Sequence, residues 1–190
     1  MTTMDAGAAP EGWLGRPLSR RYVLGIFDVA VVRSADGKGG RDRAVHWATG
    51  WLADGECEFL GAWIEPEGGP EGPSRMLADL KRRGVERIWH VAGTGAAGLR
   101  EHVSAAFPGS TPAASGERLA WKVPERIAAQ VRERLERGIR RHGGFENGAA
   151  VLDFLGRALQ RTERRMDRGG VTATARLLHG RGTQWNSSGF

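Results

Sequence analysis

The sequence predicts an α/β fold in which a mixed sheet with helices on its faces is followed by a hairpin of two long helices. Three observations support this prediction. Three strand-like segments follow one another, shorter helix-like and strand-like segments alternate after them, and two long segments then carry apolar residues about four positions apart. A chain of 190 residues, 40% of them hydrophobic, can bury one core with a helical extension.

The first three strands are predicted to form an antiparallel meander. The segment RRYVLGIFDVAVVRS is an apolar strand with Asp28 in its middle. The segments RAVHWATGWLA and ECEFLGAWIEP follow it, and the Asp54-Gly55 pair between them is typical of a tight hairpin turn. A charged residue inside an apolar strand is unusual, so Asp28 is a candidate functional residue.

A helix, a strand and a second helix are predicted next. Ser74 is placed to cap a helix that Gly84 ends, and the short apolar segment VERIWHVAG is a strand expected beside the first one. The following helix, AGLREHVSAAF, is ended by Pro108-Gly109.

Two long amphipathic helices complete the predicted elements. Each helix carries one apolar stripe. The stripe of the first helix is formed by Ile127, Val131, Leu135 and Ile139. The second helix runs from about residue 149 to 168, and its stripe is formed by Leu152, Leu155, Leu159 and Met166. Packing the two stripes together would leave the arginines of both helices pointing outward.

Charge is unevenly divided along the chain. Residues 1–74 contain 7 basic and 11 acidic residues, which leaves 21 basic and 11 acidic residues for the remainder. A basic half can bind a polyanion, so we expect non-specific DNA binding, while a solvated arginine-rich surface is the alternative. The candidate DNA-binding residues are Arg126, Arg132, Arg134, Arg137, Arg140, Arg141, Arg157, Arg161, Arg164 and Arg165.

The apolar runs are too short for a membrane span, and the polar start lacks the pattern of a secretory signal, so we expect a cytoplasmic protein without a membrane partner. The single cysteine, Cys57, is interpreted as a packing residue, and the five histidines show no metal-ligand spacing. The oligomeric state is not predicted.

Four segments in one order resemble the mutator-type bacterial insertion-sequence transposases. WLGRPLSRRYVLGIFDVAVVR is similar to the start of their catalytic domain, and ATGWLADGECEFLGAWIEPEGG resembles their hairpin and acidic loop. MLADLKRRGVERIWHV resembles the next helix and strand, and Gly98, Leu99, Phe107 and Pro108 match the helix after it. The resemblance implies a ribonuclease H-like domain over residues 13–120, after a disordered lead at 1–12 and before a helical hairpin at 121–170 and a flexible tail at 171–190.

The resemblance also implies where the catalytic acids should lie. Asp28 falls on the first, but Thr94 occupies the position of the second, and the third has no assignable position. Strand transfer by this family requires two divalent metals held by carboxylates. Because one of these acids is replaced and another is unassigned, no cofactor is expected, and Mg²⁺ is implied only if activity is retained. Asp28 is then either a vestige of the first metal ligand or a strand residue that hydrogen-bonds a loop.

The segment GTGAAG, with glycines at 93, 95 and 98, also has the spacing of a phosphate-binding turn. That motif belongs to the first strand and helix of a parallel unit, whereas here it follows a meander. We therefore interpret it as a catalytic strand end overwritten by small residues.

Two functions remain open at this point. The first is a shortened, degenerate transposase of DNA recombination, which the missing acids predict to be inactive and kept as a DNA- or protein-binding module. We also expect no site-recognition domain, since only about a dozen residues precede Trp13. The alternative is a scaffold or regulatory partner of another protein that does not act on DNA. Trp185, an isolated aromatic residue in the polar tail, is the candidate contact for a protein partner.

Overall fold

A computed structural model describes residues 15–35, 40–54, 56–65, 72–92, 99–112 and 122–166. Within these ranges the chain forms five strands and four helices. Their order is β1 (Arg21–Ser34), β2 (Arg41–Trp51), β3 (Cys57–Ile64), α1 (Gly72–Arg82), β4 (Arg87–Ala92), α2 (Leu99–Ala106), β5 (Thr111–Pro112), α3 (Lys122–His142) and α4 (Gly148–Met166). The predicted lead at 1–12 and tail at 171–190 lie outside the described residues.

The strands form one mixed sheet in the order β3-β2-β1-β4-β5. The first three are antiparallel neighbours, which confirms the predicted meander, and β4 lies parallel to β1 as expected. β5 was not predicted, because its two residues are too few to show a periodic pattern, yet it pairs in parallel with β4. The sheet is thus antiparallel on one side of β1 and parallel on the other.

Two hydrophobic cores lie on opposite faces of this sheet. One, which we call the α3/α4 face, joins Ile26 and Trp47 of the sheet to Leu135 of α3 and Leu155 of α4. The other, the α1/α2 face, joins sheet residues such as Phe27 to Met76 of α1 and Val103 of α2. The alternation of Ile26 and Phe27 follows from the two-residue period of side chains along a strand.

Local signals explain most of the element ends. The Leu52 N–H donates to the Glu56 carbonyl at 2.9 Å across the turn between β2 and β3, where a hairpin was predicted. Gly84 follows α1 with φ of 104°, a left-handed conformation that favours glycine. The cap predicted at Ser74 was wrong, because α1 already begins at Gly72. Pro73 occupies its first turn, where a missing N–H costs no hydrogen bond.

The two long helices were predicted within a few residues of their ends, and both pack against the sheet. They also touch each other where Gly138 of α3 lies against the ring of Phe154. The connection between them is tied to the end of β1, since the Phe145 N–H donates to the Arg33 carbonyl at 3.0 Å and the Phe145 carbonyl accepts from Ala35 at 2.7 Å. The arrangement as a separate helical hairpin, and the boundary at residues 120 and 121, stay predictions.

We expect Gly50→Ala to lower the free energy of unfolding by about 1–3 kcal/mol, because overpacking a filled core is destabilising. A Cβ atom on Gly50 would lie 2.4 Å from Cδ1 of Tyr22, which is fully buried. Denaturant unfolding measures the effect. Gly144→Ala is the matched control, since a Cβ atom there meets nothing within 4 Å; an equal loss in both variants would contradict the packing explanation.

Candidate functional site

Asp28 lies in the middle of β1 on the α3/α4 face, beside Trp47 of β2. Only 1% of its side chain is exposed. The Arg132 guanidinium of α3 donates from Nε to Oδ2 at 2.9 Å, and its second nitrogen donates to the same oxygen. The Val29 N–H donates to Oδ1 at 2.9 Å. Both carboxylate oxygens therefore already accept hydrogen bonds.

Arg132 departs from the direction predicted for it. It was grouped with the arginines that point outward to DNA, but it turns toward the sheet, and 30% of its side chain remains exposed. The physical reason is the buried Asp28 carboxylate, which is costly to bury without an opposite charge. Arg132 and Arg134 both flank the predicted apolar stripe of α3, so the sequence carried no signal that Arg132 in particular would turn toward the sheet.

In the sequence, the predicted second acid position comes two residues after the end of β4. That strand ends at Ala92, which is in register with Ile26, two residues before Asp28. Thr94 lies outside the described residues. Glu146, one of the acids considered for the third position, is exposed in the connection between α3 and α4.

The described residues do not fit the pair of divalent metals that the sequence resemblance implies. Such a site needs several carboxylates converging on each ion. Asp28 instead has a guanidinium as its counter-charge, and threonine stands at position 94. Among the described residues, no group of three or more His, Cys, Asp or Glu side chains could hold a metal ion.

Three further polar groups are buried around Asp28 on the same sheet face. The indole N–H groups of Trp47 and Trp51 and the hydroxyl of Thr49 lie on alternate residues of β2, and none has a hydrogen-bond partner among the residues that the structure describes. Each unmade hydrogen bond of a buried group costs about 1–3 kcal/mol. Together with the ion pair, these groups make the middle of this core unusually polar.

A second polar cluster ties the segment before β1 to the sheet edge. Tyr22 donates to Glu58, which also pairs with Arg16 at 3.4 Å. Burial and the Glu58 carboxylate raise the pKa of Tyr22 above its usual range. Arg83 donates to the carbonyls of Arg16 and Leu60. These contacts give structural roles to Arg16 and Arg83, which lie in the first and third segments of the sequence resemblance.

His46 is buried on β2, and within the described part of the chain neither ring nitrogen has a hydrogen-bond partner. Its Nε2 would lie 2.5 Å from a Cβ atom on Gly72. Burial lowers the pKa of His46, while the Glu65 carboxylate acts in the opposite direction. The folded protein therefore binds this proton less readily than the unfolded chain does.

We expect stability to fall as the pH drops below about 6.5, the ordinary pKa of histidine in the unfolded chain. His46→Leu should flatten this dependence, because it removes the group whose folded pKa is depressed. Unfolding measured at about pH 7.5 and about pH 5.5 tests this expectation. His102→Gln, at an exposed position, is the control. If the free energy of unfolding of His46→Leu changed with pH as much as that of the parent protein, His46 would not be the group responsible.

The other predicted DNA-binding arginines divide into two groups. Six are exposed on α3 and α4, namely Arg134, Arg137, Arg140, Arg141, Arg157 and Arg161. Three of these pair with a carboxylate four residues earlier: Arg137 with Glu133, Arg140 with Glu136 and Arg157 with Asp153. The side chains of Arg126, Arg164 and Arg165, and the whole of Trp185, lie outside what the structure describes.

Comparison with known protein families gives a match over more than half of the chain. The model of the family described as "Transposase, Mutator family" matches residues 6–114. The chain belongs to the Mutator family of transposases. The family match includes all five strands, whereas α3 and α4 lie beyond the matched residues.

Three relatives illustrate the extent of the match. A transposase for insertion sequence element ISRM3 from Rhizobium meliloti (strain 1021) is 38% identical over 96 residues, 50% of this chain and 24% of the relative. A probable ISRM3-like transposase from Sinorhizobium fredii has the same identity and coverage. A probable transposase from Corynebacterium diphtheriae is 33% identical over 98 residues, 52% of this chain and 29% of the relative. The match thus spans about a quarter of the length of these relatives.

No helix in the described part of the chain is both long and apolar enough to cross a membrane. This agrees with the short apolar runs noted in the sequence.

Proposed function

We propose that this chain is a transposition-related protein that binds DNA through α3 and α4 and does not cleave it. One observation carries the proposal: the Asp28 carboxylate, which matches the first catalytic acid of the family, is buried in an ion pair with Arg132. A carboxylate that is already neutralised and hydrogen-bonded on both oxygens is a poor ligand for a catalytic metal.

The family and the fold support the transposition-related part of the proposal. We further infer that the domain is ribonuclease H-like. The strand order β3-β2-β1-β4-β5, with a meander followed by a parallel strand beside β1, supports this inference. Asp28 then occupies the central strand, where the first acid of the resemblance was placed.

The charge distribution supports the DNA-binding part. The chain carries a formal net charge of +6, and the residues after position 74 contain 21 of its 28 basic residues. On α3 and α4, six arginines are exposed, and three of them have no carboxylate partner among the described residues: Arg134, Arg141 and Arg161. Exposed guanidinium groups on one surface favour phosphate contacts that are independent of base sequence.

We expect no metal-dependent cleavage when the purified protein is incubated with supercoiled DNA and Mg²⁺ or Mn²⁺. The reason is that two-metal catalysis requires carboxylates which this chain does not bring together in its described residues. Gel electrophoresis of nicked and linear products measures the reaction. The Asp28→Ala variant sets the background, so nicking by the parent that disappears in this variant would overturn the proposal.

Thr94→Asp is the second variant of the same experiment. It restores an acid at the position of the second ligand but leaves Asp28 paired with Arg132. We therefore expect no cleavage from Thr94→Asp alone. Activity in this variant would show that Asp28 can exchange Arg132 for a metal ion.

A further inference from the structure

We propose that the outer edge of β3, the side that faces away from β2, is a self-association surface that Arg16 and Arg83 hold closed. When the two arginines are removed, a second copy of this chain pairs with that edge. The proposal does not depend on the proposed function. It rests on the direction of the β3 backbone groups, on the arginines that occupy two of them, and on the apolar character of β3 on both faces.

β3 is the outermost strand on the antiparallel side of the sheet, and no strand lies beyond it in the described part of the chain. The Leu52 N–H donates to the Glu56 carbonyl and the Glu65 N–H donates to the Ala44 carbonyl, so Glu56 and Glu65 direct backbone groups toward β2. Backbone groups alternate in direction along a strand of an antiparallel pair. With one extra residue at the irregularity in the β2–β3 register, the residues that direct their backbone groups outward are Cys57, Phe59, Ala62 and Ile64.

Two arginines occupy carbonyl groups at this outer edge. Arg16 donates to the Phe59 carbonyl at 3.1 Å, and Arg83 donates to the Leu60 carbonyl at 2.5 Å. Leu60 has no partner in the register between β2 and β3, as is expected of the extra residue of a β-bulge. The guanidinium groups thus lie where the N–H groups of a neighbouring strand would have to approach β3.

The same arginines hold the segment before β1 beside the outer edge. The Arg83 Nε donates to the Arg16 carbonyl at 2.9 Å, and the Leu18 N–H donates to the Arg83 carbonyl at 2.9 Å. Only 1% of the Arg83 side chain is exposed, and it also lies 3.4 Å from the Asp79 carboxylate. Bulges, charged side chains and covering segments are the means by which proteins prevent strand pairing at a sheet edge. β3 carries all three.

A strand that paired with the outer edge would have to be apolar on both faces, because β3 contacts α4 on one face and α1 on the other. β3 itself meets this requirement. Phe59 and Ala62 belong to the core of the α3/α4 face, while Leu60 belongs to the core of the α1/α2 face and Trp63 packs against it. Two copies related by a twofold axis would place two β3 strands antiparallel and join their sheets. The partner that fits this edge is therefore a second copy of the chain.

Sedimentation equilibrium of the full chain over a range of concentrations tests the proposal. In Arg16→Ala/Arg83→Met we expect the mass to rise with concentration to roughly twice that of the parent, because both edge carbonyls and the covering segment are released. Arg16→Ala alone should associate in the same way but more weakly. It replaces the double variant if circular dichroism shows that variant to be unfolded, since 41% of the Arg16 side chain is exposed and its loss leaves the core intact.

Two further variants locate the contact. Arg20→Ala/Arg82→Met is the matched control, because it removes two exposed arginines that pair with Glu86 and Asp79, and we expect it to keep the mass of the parent. Adding Ile64→Pro to the associating variant should restore the mass of the parent. Proline lacks the N–H that Ile64 directs outward, and it is tolerated at a sheet edge where that group makes no bond within the sheet.

Three outcomes would overturn the proposal. A folded double variant, or a folded Arg16→Ala when the double variant is unfolded, that keeps the mass of the parent at every concentration would show that this edge does not self-associate. Association that persists after Ile64→Pro would place the contact on another surface. Equal association of the Arg20→Ala/Arg82→Met control would show that loss of positive charge, and not the opening of β3, brings the copies together.

Discussion

Arg132→Ala should lower the free energy of unfolding by about 3 kcal/mol, because it leaves the Asp28 carboxylate buried without a counter-charge. The 1% exposure of the Asp28 side chain leaves little hydration to offset the loss. The expected value lies at the low end of the range for broken buried ion pairs, since 30% of the Arg132 side chain is exposed and the pair is not fully enclosed. Denaturant unfolding at neutral pH measures the change.

The double variant Asp28→Asn/Arg132→Ala separates the buried charge from lost packing. Removing both charges costs less than stranding one, so we expect the double variant to be more stable than Arg132→Ala alone. Arg134→Ala, at an exposed position on the same helix, should change stability by no more than about 0.5 kcal/mol. A double variant less stable than Arg132→Ala would contradict the ion-pair explanation.

Affinity for duplex DNA should fall about 40-fold between about 50 mM and about 200 mM salt, if roughly three phosphate contacts are made. The number of contacts follows from the exposed arginines on α3 and α4 that have no carboxylate partner among the described residues: Arg134, Arg141 and Arg161. Each neutralised phosphate releases counterions, and salt opposes that release. Fluorescence anisotropy with two unrelated DNA sequences measures both the salt dependence and the absence of sequence preference.

Replacing these three arginines with glutamine should remove most of the salt dependence. The slope of the logarithm of affinity against the logarithm of salt concentration should become smaller by about one unit for each lost contact. The matched control is Arg20→Gln/Arg75→Gln/Arg82→Gln, which changes the charge equally at exposed residues outside α3 and α4. Equal weakening in both triple variants would indicate that net charge alone binds DNA. Affinity that is independent of salt would reject the proposed DNA contact.

Sequence patterns determined the elements of this protein and their order, because those features depend on local physics. Alternating apolar residues, the Asp54-Gly55 turn and the glycine after α1 act over a few residues, and they predicted the meander, α1 and the strand beside β1 correctly. The family resemblance was likewise confirmed, since it depended on the order of short motifs. β5 escaped prediction because its pairing with β4 depends on a distant strand.

The partners of the polar side chains were decided by the tertiary structure. Arg132 is one of many arginines in a basic helix, and the sequence around it does not distinguish it from Arg134 as a surface residue. Its pairing with Asp28 joins residues 104 positions apart and arises where α3 crosses β1. The lack of a hydrogen-bond partner for the indoles of Trp47 and Trp51 among the described residues likewise depends on what covers β2. A side chain's burial and hydrogen bonds are set by all the elements packed around it, so local sequence can nominate Asp28 but cannot identify the group that neutralises it.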